Sequence, residues 1–100
     1  MVKSYSVRIY YEMNLYDQAY SAIDAFRHYL KSEKLIAGEQ KKAHYEFLKN
    51  VNELTKLKEE NIKNKNDIRL TVLNKQIKEM HSNPLGAKIW LIEKAENFFN

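Results

Sequence analysis

Only two glycines and one proline interrupt 100 residues. Strands and the tight turns between them need such residues as punctuation, and long stretches here have none. A chain so poor in breakers is expected to fold into long helices. The spacing of apolar residues agrees. Tyr16, Ala19, Ile23, Phe26 and Leu30 step by three and four along one stripe. Leu70, Leu73, Ile77 and Met80 step in the same way, and Tyr45, Leu48, Val51 and Leu54 step by three, with Phe47 beside them.

Reading these stripes along the chain predicts five helices. The first runs from Ser4 to Met13, with Val7, Tyr10 and Tyr11 at helical spacing and Ile9 and Met13 extending the apolar surface. Asn14 to Asp17 is the break, because Asn tolerates the left-handed conformation that closes a helix. The second runs from about Tyr16 to Lys31. Its second stripe, Ala22, Ala25 and Tyr29, predicts that it packs on two sides as the central helix. Leu35 and Ile36 are expected to tuck under the following connection. The third spans roughly Glu39 to Lys58, and the polar run from Glu59 to Asn66 is a turn. Asn64 or Asn66 caps the fourth helix, with Asp67 in its first turn. Ser82 or Asn83 caps the last, with Pro84 at its first position. Leu85, Ile89, Ile92 and Ala95 face one way along it, and Trp90, Leu91, Phe98 and Phe99 widen the apolar surface. No Pro-rich or Gly/Ser-rich linker divides the chain, so residues 1–100 form a single domain.

The chemistry-bearing signals are few. Cysteine is absent, which removes disulfides, thiolate metal sites and a Cys nucleophile. His28, His44 and His81 stand far apart, with no acidic cluster at ligand spacing, so no metal and no cofactor is expected. Gly38 and Gly86 are too isolated for a phosphate loop, and no Ser lies in a nucleophile-elbow setting. A non-catalytic protein is the expectation. The best polar constellation is Asp24, Arg27 and His28, which spacings of three and four place on one helical face. Arg27 there would grip a carboxylate or phosphate of a partner. The competing reading is an ion pair beside the core.

No apolar run approaches the roughly 18 residues of a membrane span, so the expectation is a soluble cytoplasmic protein without a membrane partner. The net charge of +4 is uneven. Lys41 to Lys78 carries ten Lys/Arg against five Asp/Glu, while residues 1–40 balance at five against five. A basic middle can attract nucleic acid or an acidic partner, or be a solvated face that keeps the chain soluble. After Leu57 the basic stretch has no aromatic until Trp90, which argues against single-stranded nucleic acid as the main partner.

The stretch YYEMNLYDQA, residues 10–19, resembles the turn of a tetratricopeptide repeat, a helix pair of roughly 34 residues. An aromatic pair ends one helix, a turn residue follows at Asn14, and Ala19 stands where a small residue allows close packing. Asn14 replaces the usual Gly, and Phe26 takes a position usually held by Ala. More of the chain, in the pieces VRIYYEMNLYDQAYSAIDAFRHYL, AHYEFLKNV and GAKIWLIEKAENF, resembles the C-terminal region of large helical-repeat proteins of Bacteroidota. That group has no assigned activity, so the resemblance implies a fold and not a reaction. The expected architecture is all-α: about five helices in antiparallel helix-turn-helix pairs, forming a right-handed tetratricopeptide-like stack or its end, as part of a longer chain. The expected role is protein–protein interaction or scaffolding. The partner would be another protein or the rest of the chain, and self-association is expected where a seam stays exposed. The alternative is a small basic nucleic-acid-binding helical domain that uses Lys41 to Lys78.

Overall fold

A computed structural model describes residues 2–99. It is all-helical, with no strand among the described residues. The helices are α1 (Val2–Glu12), α2 (Tyr16–Ser32), α3 (Gly38–Glu59), α4 (Ile68–Lys78) and α5 (Ala87–Glu96), with a 3₁₀ turn at Pro84–Gly86 before α5. The molecule measures 43 × 27 × 17 Å along its principal axes.

Local chemistry sets the helix ends. Asn14 closes α1 with φ 58°. Its N–H bonds the Tyr11 carbonyl at 3.1 Å, and the Leu15 N–H bonds the Tyr10 carbonyl at 3.0 Å. That pair of bonds is the Schellman closure, so the expected left-handed Asn is in place. The fourth helix is capped differently from expectation. Asp67 is itself the cap, its carboxylate accepting from the Arg69 N–H at 2.9 Å. Asn64 folds the preceding turn by accepting from the Asn66 N–H, also at 2.9 Å. Aspartate wins because Arg69 also grips it through Nε and Nη2 while Nη1 reaches Glu60. Gly86 holds the N-cap position of α5, and Asn83, one of the two expected caps, satisfies its first turn from farther back, with Oδ1 accepting from the Lys88 and Ile89 N–H groups at 2.8 and 3.2 Å. Pro84 does not begin that helix, however. Leu85 (φ 54°) and Gly86 (φ 73°) are both left-handed, so α5 starts at Ala87.

The hub is α3, not α2. It packs against α2, α4 and α5, whereas α2 packs mainly on α1 and α3. Phe47, Leu48, Val51 and Leu54 of α3 have no exposed surface, and each such side chain is worth about 1.5–3 kcal/mol of burial. The α2 stripe of Ala19, Ile23, Phe26 and Leu30 is buried as expected. Its second stripe is not, because Ala25 is exposed and Ala22 only half-buried. The helix nonetheless packs on two sides, against α1 and α3, and of its second stripe Ala22 and Tyr29 are partly buried against the core.

Four further expectations are corrected. Leu35 is 93% exposed instead of tucked under its connection, although Ile36 does pack against the core. Tyr45 is exposed and Phe47 takes the core position on α3. Tyr10 and Tyr16 are only half-buried, and Tyr11 is the tyrosine that enters the core. On α5 the buried face is Ala87, Leu91 and Ala95, while Leu85 and Ile89 are exposed. The left-handed turn at residues 85 and 86 rotates the helix away from the phase that a start at Pro84 would give. On α4 the stripe of Leu70, Leu73, Ile77 and Met80 is buried as the spacing implied.

Candidate functional site

A cluster of cations and rings joins α1, α3 and α5. Arg8 points from α1 into three rings, with its guanidinium carbon 5.0 Å from the Tyr5 centroid, 5.7 Å from Phe47 and 5.9 Å from Trp90. Its Nη2 donates to the Leu85 carbonyl at 2.8 Å. Nε is buried and finds no hydrogen-bond partner among the described residues. Burial pushes the Arg8 pKa down from its usual range. Arginine nonetheless keeps its charge in proteins, so the rings hold a cation.

Trp90 lies between Tyr11 and Phe47, edge-on to both, at centroid distances of 5.3 and 6.3 Å. Lys58, from the last turn of α3, places its Nζ 4.0 Å from the Tyr11 centroid and donates to the Tyr11 carbonyl at 2.9 Å. Burial lowers the Lys58 pKa and raises that of the Tyr11 phenol, which adjacent Glu12 raises further. Glu12 pairs with Lys94 of α5 at 2.6 Å. Arg8, Glu12 and their α5 partners thus tie the first helix to the last. The arrangement has no nucleophile held by a base. Its cations lie against rings, carbonyls and Glu12, contacts that link the three helices.

The residues singled out in the sequence lie elsewhere. Asp24 and His28 are exposed on α2, with His28 Nδ1 2.9 Å from the Asp24 carbonyl oxygen and 3.8 Å from its carboxylate. Arg27 has no ion pair among the described residues, so the three do not converge. Such an exposed pair contributes little. Sequence reasoning missed the Arg8 cluster. Only Tyr5, three residues earlier, and Glu12, four later, hinted at it, and both are ordinary helical neighbours.

Several grooves mark the surface, and two of them lie between neighbouring helices. One of about 510 Å³ runs between α1 and α2, floored by Ser6, Ser21, Ala22 and Ala25. Another of about 470 Å³ lies between α3 and α4, with Leu57, Ile68, Val72 and Leu73 inside and Lys49, Glu53 and Arg69 at its edge. Among the described residues no group of His, Asp or Glu side chains could hold a metal ion, and no helix is long and apolar enough to cross a membrane. Compared with known proteins, the chain matches no family model, no curated protein and no solved structure.

Proposed function

We propose that this chain is a non-catalytic protein–protein interaction or scaffold segment. In this reading its five helices form antiparallel pairs at the end of a right-handed tetratricopeptide-like stack, within a longer cytoplasmic helical-repeat protein. The observation that carries it is the outer face of α1. Tyr5, Ile9 and Met13 follow one another at one-turn spacing and are 46%, 54% and 60% exposed. Leu85, also exposed, adjoins them through Arg8, which touches the Tyr5 ring and the Leu85 carbonyl. Scattered apolar residues are normal on a surface, but a contiguous row is the usual sign of a contact face. A photo-crosslinking side chain at Ile9 tests this in cells expressing the protein. Protein adducts are expected from Ile9 and not from Asp24, and no adduct from Ile9 would refute the reading.

One observation favours the nucleic-acid alternative. Exposed Tyr45 stands among Lys41, Lys42 and Lys49 on a shallow surface of about 370 Å³, and none of these lysines has an ion pair among the described residues. An aromatic between cations suits a stacked base beside phosphates. Glu46 on the same surface opposes it. Titration of a labelled single strand decides between the two. Weak binding is expected at physiological salt. Sub-micromolar binding that falls steeply with salt, and is lost in Lys42→Glu, would replace the scaffold reading.

A further inference from the structure

We propose that the groove between α3 and α4, with the lysine row that continues from it, takes an amphipathic helix of a partner protein whose acidic end lies over Lys41, Lys42 and Lys49. This is a second contact surface, and it does not depend on the α1 face. Its apolar part is the groove itself, of about 470 Å³. Ile68 and Val72 stand one turn apart on α4 and are 74% and 47% exposed, and buried Leu57 and Leu73 line the same groove. Gln76 extends the α4 row by another turn, and Lys49, Glu53 and Leu57 form the facing row on α3 at the same four-residue step. Two such rows leave a channel into which the ridge of a third helix packs.

Charge decides what kind of helix fits. Lys49 also borders the shallow surface around Tyr45, so groove and surface form one continuous strip. From Gly38 to Leu57 the strip runs about 28 Å along α3, at the helical rise of about 1.5 Å per residue. Its two ends differ. At the α4 N-terminus Arg69 is held by Asp67 and Glu60, and Glu53 pairs with Lys56, so two cations stand against three carboxylates. At the other end Lys41, Lys42 and Lys49 face Glu46 alone, and none of the four has an ion pair among the described residues. The adjoining α4–α5 surface balances Lys75 and Lys78 against Glu79 and Glu96 and does not change that excess. A strip with such a gradient selects and orients a partner of the opposite gradient. Nucleic acid would use the lysines and Tyr45 and leave Ile68 and Val72 bare. A helix with an apolar stripe and glutamates at one end uses all of them.

The probe is a synthetic helical peptide of about 18 residues, the length of the strip. It carries Leu at three successive turns of one half, Glu in the other half and Ala elsewhere; a control peptide has Lys in place of each Glu. Amide resonances of Lys49, Ile68, Val72 and Gln76 are expected to shift on titration with the acidic peptide, and that of Ile9 is not. The acidic peptide should bind at least about tenfold more tightly than the control. Lys42→Glu combined with Lys49→Glu should remove that preference, and Val72→Glu should weaken the acidic peptide by about tenfold as well. Helical circular dichroism should stay unchanged in these variants, because Lys42, Lys49 and Val72 are exposed. Absence of saturable binding, equal affinity for the two peptides, or shifts confined to other helices overturns the inference. So does a labelled single strand that displaces the acidic peptide and is indifferent to Val72→Glu, a result that would assign the strip to nucleic acid. A missing photo-adduct at Ile9 removes the α1 face alone and leaves the peptide result standing.

Discussion

The turn after α1 and the turn before α5 solve the same problem by different means. Both reverse the chain between helices, and both use a residue other than glycine in the left-handed region: Asn14 in the first, Leu85 in the second. The first is closed from within. Its two Schellman bonds join residues at most five apart, and Asn tolerates the conformation at little cost. The second holds a leucine where an L-residue with a bulky side chain is strained by roughly 1–2 kcal/mol. It has local bonds as well, from Gly86 N–H to the Asn83 carbonyl and from the first turn of α5 to Asn83 Oδ1, but it is also held from outside, by Arg8 across 77 positions of sequence. A turn closed by its own residues can be read from a dozen letters, whereas one closed by a distant side chain cannot.

The largest effect is expected on the locally closed side. Ala19 lies about one turn into the helix after the Asn14 turn and has no exposed surface. Ala19→Arg forces a long cation into a site without an acidic partner and should cost about 3–5 kcal/mol. Set against a total stability of about 5–15 kcal/mol, that opens or unfolds the domain. An unchanged melting temperature would mean that the α2 stripe is not packed as described.

Arg8→Ala comes next and strikes the remotely held turn. It removes a charged hydrogen bond and three ring contacts, for an expected loss of about 2–3 kcal/mol. The effect should appear as early amide exchange at Leu85, Gly86 and Ala87, while Asn14 and Leu15 exchange as before. Equal loss of protection at both turns would erase the distinction between them.

The legible parts of the fold are those set by neighbours in sequence. The buried stripes of α2 and α4 and the Asn14 turn follow from spacing and backbone chemistry alone. What failed depends on partners far along the chain. Periodicity showed that α2 has an apolar face, but the number of helices meeting it is fixed by where α3 lies. Phe47 displaced Tyr45 because Trp90, 43 positions later, supplies the ring beside it. The phase of α5 shifted by the left-handed pair at Leu85 and Gly86, which nothing adjacent to Pro84 signals. For the same reason the Arg8 cluster stayed hidden, since its parts lie on three helices. Asp24, Arg27 and His28 were legible as one helical face, and on it His28 lies 3.8 Å from the Asp24 carboxylate.

Leu85→Gly sharpens the comparison with a smaller effect of opposite sign. Glycine enters the left-handed region freely, and Leu85 is exposed, so little packing is lost. A gain of about 0.5–1 kcal/mol is expected, or some 3–6 °C in Tm. Combined with Arg8→Ala, the two changes should be non-additive by about 1 kcal/mol, because Arg8 no longer has a strained turn to hold. Strict additivity would show that Arg8 stabilises α1 against α5 without regard to the conformation of Leu85.

The smallest effect expected is a dependence on pH whose upper step is confined to the second turn. His44 of α3 lies 5.2 Å from the Phe26 ring and lines a groove of about 520 Å³ with Ser82, Pro84 and Leu85. Burial pushes its pKa below the ordinary 6.5. As pH falls past 6.5 the unfolded chain takes up a proton that the folded His44 refuses, so stability present above that pH declines until the folded imidazole also titrates. A second decline belongs to Asp67, whose carboxyl is held below 3.8 by hydrogen bonds from Arg69; its contribution is present above 3.8 and lost as pH falls through the lower folded value. His44→Gln should remove the upper step and leave the lower one. Amide resonances of Leu85 and Gly86 should shift with His44 in the wild type, while those of Asn14 and Leu15 should not. If the Asn14 turn moved over the same pH range, acid would be acting on the whole bundle, and the remote turn would hold no separate sensitivity.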